Sequence, residues 1–224
     1  MRAFLRDNSL SLFFLVLFLG ALAGQSVAGW LDFNDVARAH HSTTYSYGRY
    51  VLSAAFGQAM LENWQSEYLQ FVFFILATVW FVQRGSNESK RPDSVGLESD
   101  QKQLVGPHAQ QSSPRWAKVG GWRTTLYSNS LLIVMATLFF GSWFGQSLTG
   151  WREYSHQQEE HGQPAISWAG YLTRADFWEA TLENWQSEFL AVGSMAAFTV
   201  YLRQRGSPES KPVGAPHDQT GTSG

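Results

Sequence analysis

Cysteine is absent from the 224-residue chain, which excludes disulfides, thiolate metal sites and a cysteine nucleophile. Charge is missing in two places above all: residues 10–27 and 131–148 hold no Asp, Glu, Lys or Arg. With a net charge of -2 and no dense basic stripe, nucleic acid is not expected as a partner. The GxSxG, P-loop and Rossmann fingerprints are missing too. No nucleophile–base set can be named, so an enzyme is not expected, nor is a cofactor.

The average composition looks soluble, with 15% charged residues and a mean hydropathy of -0.20. That average hides segregation. The two uncharged runs are each long enough to cross a hydrocarbon core of ~30 Å, which takes ~20 helical residues. Shorter apolar runs follow at residues 68–82 and 189–202. Ten Trp are also present, a content suited to long membrane interfaces.

A shift of 121 positions superposes residues 2–90 on 123–211 without a gap and gives 36 identities. The matches fall in blocks: NSL, GQSxxGW, LENWQSE and QRGSxESK. The repeat unit is too long for a solenoid, so a duplicated membrane module is the reading. The chain divides into a two-span module (1–90), a polar cytoplasmic linker (91–121), a second two-span module (122–211) and a disordered tail (212–224). Arg2, Arg6 and the apolar run after them also have the form of a signal peptide. Recurrence of GxxxGQSxxGW at residues 141–151 argues against that alternative.

Basic residues set the orientation. Twelve Lys/Arg fall on the side of the termini and linker and four in the two other loops, so both termini are expected to be cytoplasmic. The fold expected is an all-α membrane protein with four transmembrane helices, arranged as two tandem parallel-repeat hairpins. Residues 50–60 and 171–181 are expected as short interfacial helices in the outer loops.

Gly20 and Gly24, like Gly141 and Gly145, lie four apart on one helix face and mark a packing surface. Trp30, Trp64, Trp151 and Trp185 read as interfacial anchors. The LENWQSE blocks carry the unusual chemistry. If the second and fourth helices span fully, Glu67 and Glu188 sit about one turn inside the apolar slab, where a carboxylate is costly. A polar cluster of Gln25, Ser26, Asn63 and Glu67 is expected, with Gln146, Ser147, Asn184 and Glu188 as its twin. Each is open to two uses: a clamp that fixes helix register, or part of a path for an ion, proton or solute. His40 and His161 align, with His41 and His156 nearby, but HQQEEH matches no zinc motif, so solvated loop histidines and no metal are expected. The QRGSxESK endings read as a helix stop with Arg84 and Arg205 at the cytoplasmic headgroups.

On NSLSL…GQSxxG, ENWQSE[FY]L and QRGSxESK the chain resembles a group of bacterial integral membrane proteins, domain of unknown function 6766. The resemblance covers most of the chain outside the linker and tail. It implies a four-span protein of the bacterial cytoplasmic (inner) membrane, and it implies no catalytic residues. The partners expected are the lipid bilayer and either a membrane protein or a second copy in a homo-oligomer.

Overall fold

A computed structural model describes residues 2–221 of the chain. Among them are nine α-helices, two short 3-10 turns and no strand. The helices are α1 (Arg2–Asp7), α2 (Ser9–Ala39), α3 (Tyr47–Val51), α4 (Ala54–Trp80), α5 (Arg115–Lys118), α6 (Gly121–Ser128), α7 (Ser130–Glu160), α8 (Trp168–Tyr171) and α9 (Ala175–Phe198). The all-helical expectation holds.

Of the four expected spans, two are both long and apolar enough to cross. By length and composition α2 and α7, at 31 residues each, can cross a membrane; at 1.5 Å per residue each is about 46 Å long. The most apolar window of α2 is only 6% buried, and that of α7 22%. A stretch that is apolar on all sides and lacks protein cover suits lipid. Helix α9 is different: Asp176, Glu179, Glu183 and Glu188 fall within residues 175–188, and its apolar remainder from Phe189 to Phe198 covers about 15 Å. It ends four residues before the expected Leu202, and α4 ends at Trp80 rather than Val82.

The outer segments also differ from expectation. Short helices are present there, but as α3 and α8. Most of 50–60 and 171–181 forms the first turns of α4 and α9 instead. Serine caps decide where these helices begin. Ser46 Oγ accepts from Arg49 N in α3, and 121 residues on Ser167 Oγ accepts from Gly170 N in α8. Ser53 Oγ caps α4 through Phe56 N, whereas α9 starts at Arg174 with no side-chain cap.

Two compact units emerge, and each takes chain from both copies of the repeat. One holds residues 1–60 and 145–171, the other 61–144 and 172–224. The chain passes between them three times: inside α4, inside α7 and after α8.

In the first unit the outer loop is strapped to α2. Trp30 Nε1 donates to Tyr45 O at 2.6 Å; buried Asn34 donates to the same oxygen at 2.9 Å and accepts from Tyr45 N at 2.6 Å. The first strap recurs as Trp151 Nε1 to Ile166 O, 2.7 Å, again 121 residues on. The second does not, because Ser155 stands where Asn34 would, and its buried hydroxyl lacks a partner among the described residues. Helix α2 ends with Ser42 N bonded to Ala37 O and His41 at φ 57, a left-handed cap. At the matching place after α7, Gln163 N bonds Gln158 O and the left-handed residue is Gly162.

In the second unit the two QRGSxESK segments fold into matching turns. Gln83 N donates to Ser89 Oγ and Gln204 N to Ser210 Oγ, both at 2.9 Å, with Gly85 and Gly206 at positive φ. Asn87 Nδ2 reaches Pro208 O, so the turns meet. Each lysine then holds the segment behind it. Lys90 Nζ bonds Gly96 O, while Lys211, almost wholly buried, donates to the carbonyls of Gly85, Pro216, His217 and Gln219. Residues 212–221 are therefore tied down rather than forming the disordered tail expected; residues 222–224 of that tail lie outside the described residues.

Candidate functional site: the paired LENWQSE segments

The second unit answers what the doubled phrase does, because its two copies meet. They lie on α4 and α9, which begin 121 residues apart at Ala54 and Ala175, so the phrase has the same position on both helices. Trp185 Nε1 on α9 donates to Gln65 Oε1 on α4 at 2.7 Å. Ser66 Oγ, which also bonds Asn63 O, lies 3.5 Å from Glu188 Oε1. One turn further along, the rings of Phe73 and Phe189 meet edge to face at 5.5 Å.

Burial across this seam is one-sided. Gln65 is 0% and Ser66 1% exposed, while their repeat equivalents Gln186 and Ser187 are exposed. A buried amide needs partners for both ends. Gln65 satisfies its oxygen through Trp185, but its Nε2 has no partner among the described residues. Behind Trp185 stands an aromatic box. Trp143 stacks near-parallel on Phe139 and Phe177, at interplanar angles of 14° and 20°, and its Nε1 lies 3.4 Å from the fully buried Thr181 Oγ1.

The two glutamates have different settings. Glu67 is exposed and accepts from Gln70 Nε2 at 2.8 Å. Glu188 is half-buried beside Ser66. Of the other residues in the expected cluster, Asn184 turns its amide to Ala180 O in its own helix. Asn63 supplies its carbonyl to Ser66.

The GQS residues find their partners in the first unit. Gln25 is exposed. Ser26 Oγ bonds Ala23 O and lies 2.8 Å from Tyr47 Oη. The same bond recurs as Trp168 Nε1 to Ser147 Oγ at 3.1 Å. Gln146 is 2% exposed, and its Oε1 is without a partner among the described residues. Sequence pairing grouped GQS with LENWQSE by depth; the bonds seen for Ser26 and Ser147 run to Tyr47 and Trp168, which no motif marked, and those of Gln65 and Ser66 run to the opposite LENWQSE.

Of the glycine pairs, Gly20, Gly24 and Gly141 leave open space where a Cβ would stand. The close approaches belong to a third glycine of the same phrase. At Gly29 a Cβ would fall 2.3 Å from Tyr50 Oη, and at Gly150 one would fall 2.5 Å from Tyr171 Oη. Recurrence of both glycine and tyrosine was the signal that could have found this contact. Burial, with the charges of Asp32 and Glu153 adding to it, pushes the Tyr50 phenol above its ordinary range and keeps it a donor.

Below the seam a cavity of about 210 Å³ lies between α4 and α9. Gln70, Phe71, Phe74, Ala191, Val192 and Met195 line it, and Glu88 and Glu209 from the two turns close it. Burial, and next the facing Glu209 carboxylate, hold Glu88 above the usual carboxylate range. Among the described residues no group of three or more His, Asp or Glu could hold a metal ion.

Residues 1–222 match the model of a domain of unknown function (DUF6766). No curated protein and no solved structure matches the chain.

Proposed function

The chain belongs to that DUF6766 family, and on this premise we propose a membrane-embedded, non-enzymatic helical protein that works by packing with a membrane partner or with a second copy of itself. In this reading two tandem two-helix modules cross a bacterial inner membrane four times, with both termini cytoplasmic. Helices α2 and α7 are the long crossings, and α4 and α9 are the short ones. The observation that carries the proposal is the bond between Trp185 and Gln65 with the Ser66–Glu188 contact beside it. The polar groups that a path would need are turned on one another in a seam where Gln65 and Ser66 are dry. Exposure of the apolar face of α2 supplies the surface for lipid or a partner.

Gln65→Leu tests the clamp. It leaves the Trp185 indole N–H buried without an acceptor, a loss of about 1–3 kcal/mol. The melting temperature in detergent should fall, and ion flux through reconstituted liposomes should stay at the empty-vesicle level. An unchanged melting temperature would remove the clamp from consideration.

A second reading has its own observation. The α4–α9 cavity is closed at one end by Glu88 and Glu209 and reaches Gln70, which bonds Glu67. That is a carboxylate at each end of a short interhelical void, the arrangement a proton or cation path would use. Wild-type liposomes that carry protons or alkali cations, with flux abolished in Glu67→Gln or Glu88→Gln, would establish this reading over the first.

A further inference from the structure

A cleft of about 440 Å³ opens in the first unit. Its walls are the outer end of α7, the corner between α3 and α4, and Phe33 of α2. Arg152, Glu153 and His156 enter from α7, one helical face at i, i+1 and i+4. Arg49 enters from α3, stacked with its guanidinium carbon 3.7 Å from the centre of the Tyr45 ring. Leu52, Ala54 and Ala55 give the cleft an apolar floor.

Arg49 and Arg152 are both exposed where they line the cleft. The outer loops and helix ends hold four basic residues in all, Arg38, Arg49, Arg152 and Arg174. Arg38 is neutralised by Asp35, but neither Arg49 nor Arg152 forms an ion pair among the described residues. Two guanidinium groups without an ion pair, brought to one cleft by α3 and α7, each offer planar donors to an oxyanion. Stacking on Tyr45 holds one of them in place before any ligand arrives. The site is also made once, not twice. The positions 121 residues from Arg49 and Arg152 are Gly170 and Leu31, so the equivalent residues carry no charge.

We propose that this cleft binds a phosphate group carried on an apolar body. Arg49 and Arg152 take the phosphate oxygens and Phe33, Tyr45 and Leu52 cover the body. Glu153 receives a hydroxyl or ammonium group on the far side of the phosphate. A phospholipid headgroup and a free organic phosphate share this chemistry. The assignment stands on the cleft itself and is independent of how many helices cross the membrane.

The test uses the full chain, purified and stripped of lipid. One arm measures thermal stabilisation by sn-glycerol 3-phosphate in detergent. The other measures phosphatidylglycerol retained after release from nanodiscs, by native mass spectrometry. Saturable binding in either arm is expected, and the arm that responds identifies the source. Arg49→Ala and Arg152→Ala should each weaken it about tenfold or more. Arg49→Lys, which keeps the charge but loses the planar fork, should fall between, and Arg174→Ala should bind as wild type. The proposal is overturned if neither probe binds saturably, or if both alanine variants bind like the parent.

Discussion

At the scale of single residues, close contact and backbone sign are what the chain will tolerate least. Gly29 and Gly150 are glycine because a tyrosine hydroxyl lies where a Cβ would be. Gly29→Ala should therefore lower stability by about 1–3 kcal/mol, the usual result of overpacking, read as a drop in melting temperature. Gly20→Ala and Gly24→Ala meet nothing and should raise helix stability by up to about 1 kcal/mol each. If those two variants instead lose stability or change oligomeric mass, that face meets another chain. The left-handed cap offers an opposite case. His41 holds φ 57 where the repeat uses Gly162, and a non-glycine residue there costs about 1–2 kcal/mol. His41→Gly should stabilise the protein, and an unchanged melting temperature would show that its side chain offsets the strain.

At the scale of elements, caps and turns decide more than apolar pattern does. Helix α9 lacks the serine that starts α4, so Arg174→Ser should add a cap worth about 1 kcal/mol, visible as slower hydrogen exchange in its first turn. The twin turns carry a pH dependence. Glu88 is held above its ordinary value, so its protonated form is favoured in the fold. Its contribution to stability is whole below the unfolded carboxylate pKa and declines as pH rises through the raised folded value. Glu88→Gln should remove that decline and make the protein more heat-stable at neutral pH; a melting curve that falls with pH as steeply as in the parent would contradict it. Where the short helices begin was not read from the sequence, which placed them at 50–60 and 171–181, although Ser46, Ser53 and Ser167 mark helix starts by local chemistry. Nor was the contact between the two LENWQSE copies. Depth along a helix follows from sequence, but which neighbour a buried Gln65 faces depends on rotation and long-range packing, which apolar spacing does not encode. The folded tail escaped for the same reason. Residues 212–221 look disordered by composition, and their bonds come from Lys211 and Arg203 nearby and from Gly85 and Ser86 far along the chain.

At the scale of the whole molecule, reading by repeat and reading by compactness divide the chain differently. The sequence suggests two modules in series; the compact units each draw on both. Composition rightly signalled an all-helical chain with apolar runs of crossing length. Of the four spans it marked, α2 and α7 are long and apolar enough to cross, and α9 carries a shorter apolar stretch behind its acidic N-terminal part. Because α4 and α7 each give residues to both units, melting either unit alone would break two helices in mid-course. Heat should therefore unfold both in a single transition. The same feature makes the linker dispensable as a tether. A protease cut within residues 91–121 would sever the polypeptide once, yet each fragment would still own part of both units. The nicked protein should run as one species under native conditions and separate only on denaturation, like two ropes spliced strand through strand rather than knotted end to end.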